Sequence, residues 1–199
     1  MRFLQRADRL VSRVGILPGT FNPVTVAHLA VAQAGLRTVD EVVFVLPRAF
    51  PHKPYTGASF EDRIEMLQAV LPRDSQFSIA TSQSGLFKDI AAEYRTAFGP
   101  DTNLTFLCGR DAAERIATWD YDEPLAFQSM LREFNLLVAA RHGEYEAPDE
   151  LHGAIGRLEL RGPYDHVSSS EVRDRIREGR DWEHLVPPAI HDKVRKIYG

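Results

Sequence analysis

His28 stands in the stretch Pro18-Gly19-Thr20-Phe21-Asn22-Pro23-Val24-Thr25-Val26-Ala27-His28, directly after an apolar run. Gly19 lets backbone approach a ligand closely, Thr20 adds a hydroxyl beside a backbone N–H, and Pro23 stiffens the turn. A helix opening near Thr25 puts Thr25 and His28, three residues apart, on one face. That first turn presents unpaired N–H groups and the positive end of the helix dipole, which suits an anion. An N-capping Thr25 beside a solvated His28 would account for the same residues without any ligand.

Three further groups carry chemistry. Lys53 lies in the Pro-rich stretch Phe50-Pro51-His52-Lys53-Pro54, where a cation could reach into a site or merely decorate a turn. Gly109-Arg110-Asp111 ends an apolar run, and Trp119 follows eight residues after Asp111. There Gly109 admits a ligand at a strand end, Asp111 can take a ribose hydroxyl, and the indole can lie against a flat heterocycle or simply pack in the core. Asp111 with Glu114 fits a variant capping box. In Val167-Ser168-Ser169-Ser170-Glu171-Val172-Arg173, Ser168 and Glu171 make a capping box, so a helix begins there with or without a ligand. Its hydroxyls and free N–H groups, with Arg173 one turn in, suit a terminal phosphate.

These residues need a scaffold, and the apolar pattern supplies one. Short runs at 14–17, 42–46, 77–80, 104–108 and 134–140 are largely apolar rather than alternating, as strands covered on both faces are. Helical spacing fills the segments between them. Strand and helix alternating in this way predict an α/β fold, a Rossmann-like doubly wound parallel sheet of about five strands. A small helical subregion follows over about 164–199. Residues 1–13 read as an N-terminal extension that either packs as a helix or stays loose, and 14–199 as one domain. In such a sheet a ligand sits at the carboxyl ends of the strands, near the point where strand order reverses.

Composition sets further bounds. The chain has 199 residues, 44% hydrophobic and 26% charged, with a net charge of −4, so bulk charge favours neither nucleic acid nor an anionic membrane. The single cysteine, Cys108, ends an apolar run and reads as a buried thiol in a reducing, cytoplasmic setting. No apolar stretch approaches a membrane span, and the arginine-bearing start lacks a secretory apolar core. Neither the dinucleotide G-x-G-x-x-G, nor the P-loop, nor a zinc-spaced His/Cys cluster, nor a G-x-S-x-G elbow is found in the sequence.

Taken in order, the motifs resemble the nucleotidyltransferase superfamily that joins adenylyl or cytidylyl groups to phosphorylated small molecules. The first stretch is similar to its GTFDPxHxGH signature, with Asn22 for Asp, Thr25 for the first His, Ala27 for the second Gly, and His28 kept. Thr25 at that place is similar to the phosphopantetheine adenylyltransferase branch. The PHK stretch with Ser59, Arg63 and Met66, Gly109 and Asp111 followed by Trp119, Arg141, and the closing Leu185-Val186-Pro187 resemble the nicotinate mononucleotide adenylyltransferase branch. Ser168 to Arg173 is similar to the superfamily's ISSTxIR signature. Residues 84–90 depart from the SYTxDTL-like stretch of that branch, lacking its tyrosine and both threonines.

The resemblance implies an adenylyltransferase that moves AMP from ATP to nicotinate mononucleotide and releases pyrophosphate, in NAD biosynthesis. It implies ATP contacts at Gly19, Thr20, Phe21, His28, Gly109, Asp111, Ser168, Ser169, Ser170 and Arg173. Acceptor contacts fall on Asn22, Lys53, Trp119 and Arg141, and the catalytic set is His28, Thr25, Lys53 and Arg173. Mg²⁺ would ride on the nucleotide phosphates, with no metal ligands from the protein. The partners are then ATP and a phosphorylated small-molecule acceptor rather than nucleic acid or membrane, and a homo-oligomer stays open. The same chemistry with nicotinamide mononucleotide, phosphopantetheine or CTP is the alternative, and a non-catalytic nucleotide-binding regulatory protein is the alternative of another class.

Overall fold

The computed structural model describes residues 1–7, 11–49, 57–73, 75–119, 126–139, 151 and 153–199. One seven-stranded sheet forms its centre, in the order β1-β4-β3-β2-β5-β6-β7. The five expected runs are β2 (Arg13–Pro18), β3 (Glu41–Pro47), β4 (Phe77–Ser82), β5 (Asn103–Gly109) and β6 (Asn135–Ala139). All pair in parallel. Every residue of β3 is buried, because both of its faces are covered. Side chains alternate across it: Val42, Phe44 and Leu46 join one apolar cluster, Val43 and Val45 the other.

Two strands extend this core. β1 (Arg2–Gln5) pairs antiparallel with β4, and β7 (Ile155–Leu158) pairs parallel with β6. The N-terminal extension is therefore neither helical nor loose in its described part, but an edge strand. Each added strand has four residues and lies at an edge, so neither is long enough to show a period. Ala7, beyond β1, donates its N–H to Ser78 Oγ at 2.8 Å, and the Ser78 hydroxyl donates to the buried Glu41 carboxylate.

The helices divide between the two faces. Leucines, valines and alanines of α1 (Val26–Gly35) and α2 (Phe60–Val70) pack in the first cluster. Phe87, Ile90, Ala91 and Tyr94 of α3 (Phe87–Phe98), Ala113 and Ile116 of α4 (Arg110–Thr118), and Phe127 and Met130 of α5 (Ala126–Met130) pack in the second. The chain winds one way from β2 through β3 to β4, and the other way from β5 through β6 to β7, so strand order reverses between β2 and β5. α6 (Ser169–Arg177) and α7 (His191–Tyr198) return to the α1/α2 face, where Val172, Leu185, Ile190 and Val194 are buried. Lys193 of α7 pairs with Asp62 at 3.2 Å and with Glu65, fastening the end of the chain to α2. Among the described residues no helix is long and apolar enough to cross a membrane.

Candidate active site

A cavity of about 520 Å³ opens where the carboxyl ends of β2 and β5 separate. The turn from Gly19 to Pro23 forms one side, and three elements distant in sequence fix it. From α2, the buried Arg63 donates to the Thr20 carbonyl at 3.2 Å. From α6, Arg173 donates to the Asn22 carbonyl at 2.6 Å, and the Ser169 hydroxyl donates to the Pro23 carbonyl at 2.8 Å. The Asn22 side-chain oxygen accepts the Ala58 N–H at 3.2 Å and the Tyr198 hydroxyl of α7.

Backbone geometry explains the turn's residue types. Phe21 adopts φ 47°, a left-handed conformation that costs a residue with a Cβ about 1 kcal/mol. Its ring, fully buried against Phe44, offsets that cost. A Cβ on Gly19 would come within 2.9 Å of the Phe21 ring, so no other residue fits there without displacing it. Gly57 has φ 120°, and a Cβ there would meet the Asn22 side chain at 2.8 Å.

His28 sits in the first turn of α1, whose N-cap is the fully buried Thr25. The imidazole turns back on the cap: Nδ1 lies 3.0 Å from the Thr25 backbone N–H and 2.8 Å from Thr25 Oγ1. A backbone N–H can only donate, so Nδ1 is the acceptor and the neutral ring carries its proton on Nε2. The Phe21 ring meets the imidazole edge-on at a centroid distance of 5.2 Å. His28 lines the cavity in this fixed orientation. Thr25 is thus both a helix cap and the group that makes His28 a hydrogen-bond donor.

Beside the turn that leads into α1 lies the start of α6. Ser168 caps it, its Oγ accepting the Glu171 N–H at 3.0 Å. The capping box is only half made, because the Glu171 carboxylate pairs with Arg175 at 2.6 Å, which holds it below its usual pKa. With the Ser168 and Ser169 hydroxyls occupied, what α6 offers is the pair of first-turn N–H groups of Ser169 and Ser170 at its positive end. Arg173 also donates to the Ser169 carbonyl at 3.1 Å and to Ser170 Oγ at 3.3 Å. In this structure it braces one motif against the other while its side chain lines the cavity.

The third wall is the junction of β5 and α4. Gly109 is the N-cap of α4, and Asp111 is in its first turn. The expected Asp111–Glu114 capping box does not form, since Glu114 pairs instead with Arg110 at 2.6 Å. Asp111 is exposed and faces the cavity, together with Arg115 one turn later. Cys108 also lines the cavity, but burial pushes its thiol up to about 12, so it is not a nucleophile.

Gly19, Thr20, Asn22, His28, Gly109, Asp111, Ser168, Ser169, Ser170 and Arg173 therefore come together around one cavity. Phe21 and Trp119 are not on its wall. The Phe21 side chain lies fully buried beneath His28, and Trp119, at the end of α4, packs half-buried on the α3/α4 cluster. Lys53 and Arg141 lie outside the described residues. Arg115 is a wall residue that the motifs do not include, although its spacing of four from Asp111 places both on one helix face. Tyr198 has no sequence signal, since its partner Asn22 lies 176 positions away.

Residues 16–175 match the cytidylyltransferase-like family over most of the chain. The chain belongs to that family. It is 30% identical over 203 residues to a Neisseria meningitidis protein named "Probable nicotinate-nucleotide adenylyltransferase", with 94% of this chain and 97% of that one covered. A Moorella thermoacetica protein of the same name is 30% identical, with 92% and 89% covered. The fold is that of the Plasmodium falciparum nicotinic acid mononucleotide adenylyltransferase solved in complex with NaAD. That likeness has a TM-score of 0.70 at 18% identity, covering 93% of this chain and 95% of that one.

Proposed function

We propose that the protein is a cytoplasmic adenylyltransferase that transfers AMP from ATP to nicotinate mononucleotide, giving deamido-NAD and pyrophosphate. The observation that carries this reading is His28, locked as an Nε2–H donor in one cavity with the N-terminus of α6. The names of relatives matched along nearly the full chain support the choice of acceptor.

In the proposed reaction an oxygen of the acceptor phosphate attacks the α-phosphorus of ATP. A new P–O bond forms, the α–β bridge breaks, and pyrophosphate leaves with the electron pair. The nucleophile is already an anion, so no general base is required. The protein's task is to align two anions in line and to stabilise charge on the triphosphate. His28 would donate to the α-phosphate, the Ser169 and Ser170 N–H groups to the terminal phosphates, and Asp111 would accept a ribose hydroxyl. Arg173 and Arg63 keep the turn and α6 in register, and Lys53 would add positive charge. The described residues contain no group of three or more His, Cys, Asp or Glu able to hold a metal. A Mg²⁺ ion carried on the triphosphate would be held by phosphate oxygens and water and would neutralise triphosphate charge.

The test is pyrophosphate release with ATP or CTP against nicotinate mononucleotide, nicotinamide mononucleotide and phosphopantetheine. Turnover is expected with ATP and nicotinate mononucleotide. Nucleotide binding with no turnover on any acceptor would instead identify a regulatory protein, and failure to bind either nucleotide would overturn the reading.

A further inference from the structure

Two arginines line the described wall of the cavity, and they differ in what they already hold. The Arg173 guanidinium is engaged with the Asn22 and Ser169 carbonyls. Arg115, half-buried in the last turn of α4, makes no side-chain hydrogen bond or ion pair with any described residue. Asp111, four residues earlier on the same face, is the obvious partner. No bond joins the two, and the ion pair α4 does make is Arg110–Glu114. A half-buried guanidinium with no partner among the described residues is desolvated without return from them, so a ligand is the natural source of its counter-charge.

The surroundings of Arg115 specify that ligand. On the same α3/α4 face the cavity is walled by Phe87 and Ile116, both largely buried, and by Gly85. Phe87 is held flat against Phe106, with ring centroids 4.4 Å apart and an interplanar angle of 18°. Neither Gly85 nor Phe87 has a side-chain hydrogen-bond donor, so the cationic side chain on this half of the described wall is that of Arg115. The phosphate-binding groups, His28 and the α6 N-terminus, belong to the other half, on the α1/α6 side of the sheet.

We propose that Arg115 is the acceptor-selecting residue, its guanidinium pairing with a carboxylate carried on the acceptor's flat ring while Phe87 and Ile116 take the ring itself. Arginine suits this task because its planar fork matches a carboxylate with two parallel N–H···O bonds. A carboxamide at the same place offers one acceptor oxygen and brings an NH₂ group against the cation. The inference deepens the proposed reaction and rests on it: it explains how nicotinate mononucleotide would be chosen over nicotinamide mononucleotide.

The experiment is steady-state kinetics of pyrophosphate release for the wild type, Arg115→Gln and Arg115→Lys, with both pyridine mononucleotides, and with thermal melts to verify folding. For Arg115→Gln we expect KM for nicotinate mononucleotide to rise about 10- to 100-fold, as for loss of a charged hydrogen-bonded pair. KM for ATP should move less than about threefold, and the preference over nicotinamide mononucleotide should collapse by the same factor. Arg115→Lys, keeping charge without the fork, should fall between. A rise in KM for ATP instead, an equal loss with both acceptors, or no change in a folded variant would overturn the assignment. A wild type active with nicotinamide mononucleotide but not with nicotinate mononucleotide would overturn it as well. A wild type inert with both pyridine acceptors would overturn the underlying reaction, which separates that failure from failure of Arg115 alone.

Discussion

Replacing Thr25 and His28 singly and together tests whether the buried threonine acts on the reaction only through the imidazole. Thr25→Val keeps the shape and removes the hydroxyl 2.8 Å from Nδ1, while the backbone N–H at 3.0 Å stays. Nδ1 remains an acceptor and the proton remains on Nε2, but one of two contacts holding the ring is gone. One net hydrogen bond is worth about 1 kcal/mol, and if all of it appears in the transition state kcat falls roughly fivefold. His28→Ala removes the donor itself, and loss of one preorganised donor costs on the order of 10²–10³ in kcat. In the His28→Ala background Thr25→Val should then cost nothing further, because the group it orients is absent; the coupling energy equals the whole Thr25 effect, about 1 kcal/mol. The assay is pyrophosphate release at saturating ATP and nicotinate mononucleotide, with melting temperatures to establish folding. Additive losses in the double variant would refute the argument, since they would mean that Thr25 meets the substrate directly. Near wild-type turnover in His28→Ala would refute the mechanism as a whole.

Other perturbations follow from the same contacts. Arg173→Lys retains the charge but cannot reproduce the fork that reaches the Asn22 and Ser169 carbonyls, so it should lose about 1–3 kcal/mol of stability and lower kcat; unchanged melting temperature and activity would show that only the charge matters. Gly57→Ala forces a Cβ into a φ of 120° and against Asn22, and should lower the urea midpoint by more than about 1 kcal/mol equivalent, whereas an unchanged midpoint would contradict the close approach. Burial raises the Glu41 carboxyl above its usual 4.5, so the folded chain binds that proton more tightly than the unfolded chain. Stability from this group is therefore greatest below the unfolded value and declines as pH rises through the folded one. Glu41→Gln should remove that decline in urea titrations run from acid to neutral pH, and an equal loss of stability at every pH would argue against it.

The braced turn suggests why the first and last motifs occur together. Residues 19–23 form no helix or strand of their own, and the carbonyls of Thr20, Asn22 and Pro23 are taken up by Arg63, Arg173 and Ser169. The helix that offers N–H groups to one end of the cavity is thereby tied to the turn that leads into His28. Displacing α6 would disturb its own N–H groups and the turn leading into His28 at once.

What was legible from the sequence follows from local rules. Five largely apolar runs read as strands covered on both sides, and helical spacing between them pointed to parallel crossovers, so the doubly wound core and the place of the cavity were legible. The caps at Thr25 and Ser168 were equally legible, because hydrogen bonds three residues apart are written in adjacent letters. The two edge strands were not, since four residues with one covered edge carry no period. The state of individual side chains was also decided only by tertiary structure. Asp111 and Glu114 had the spacing for a capping box, yet Arg110 took Glu114. Arg173 had the position of a free cation, yet a carbonyl 151 residues away claimed it. Arg115 carried no motif, and it stands on the cavity wall with no side-chain partner among the described residues. Sequence spacing decides which groups share a face; only long-range folding decides which of them already have partners when a ligand arrives.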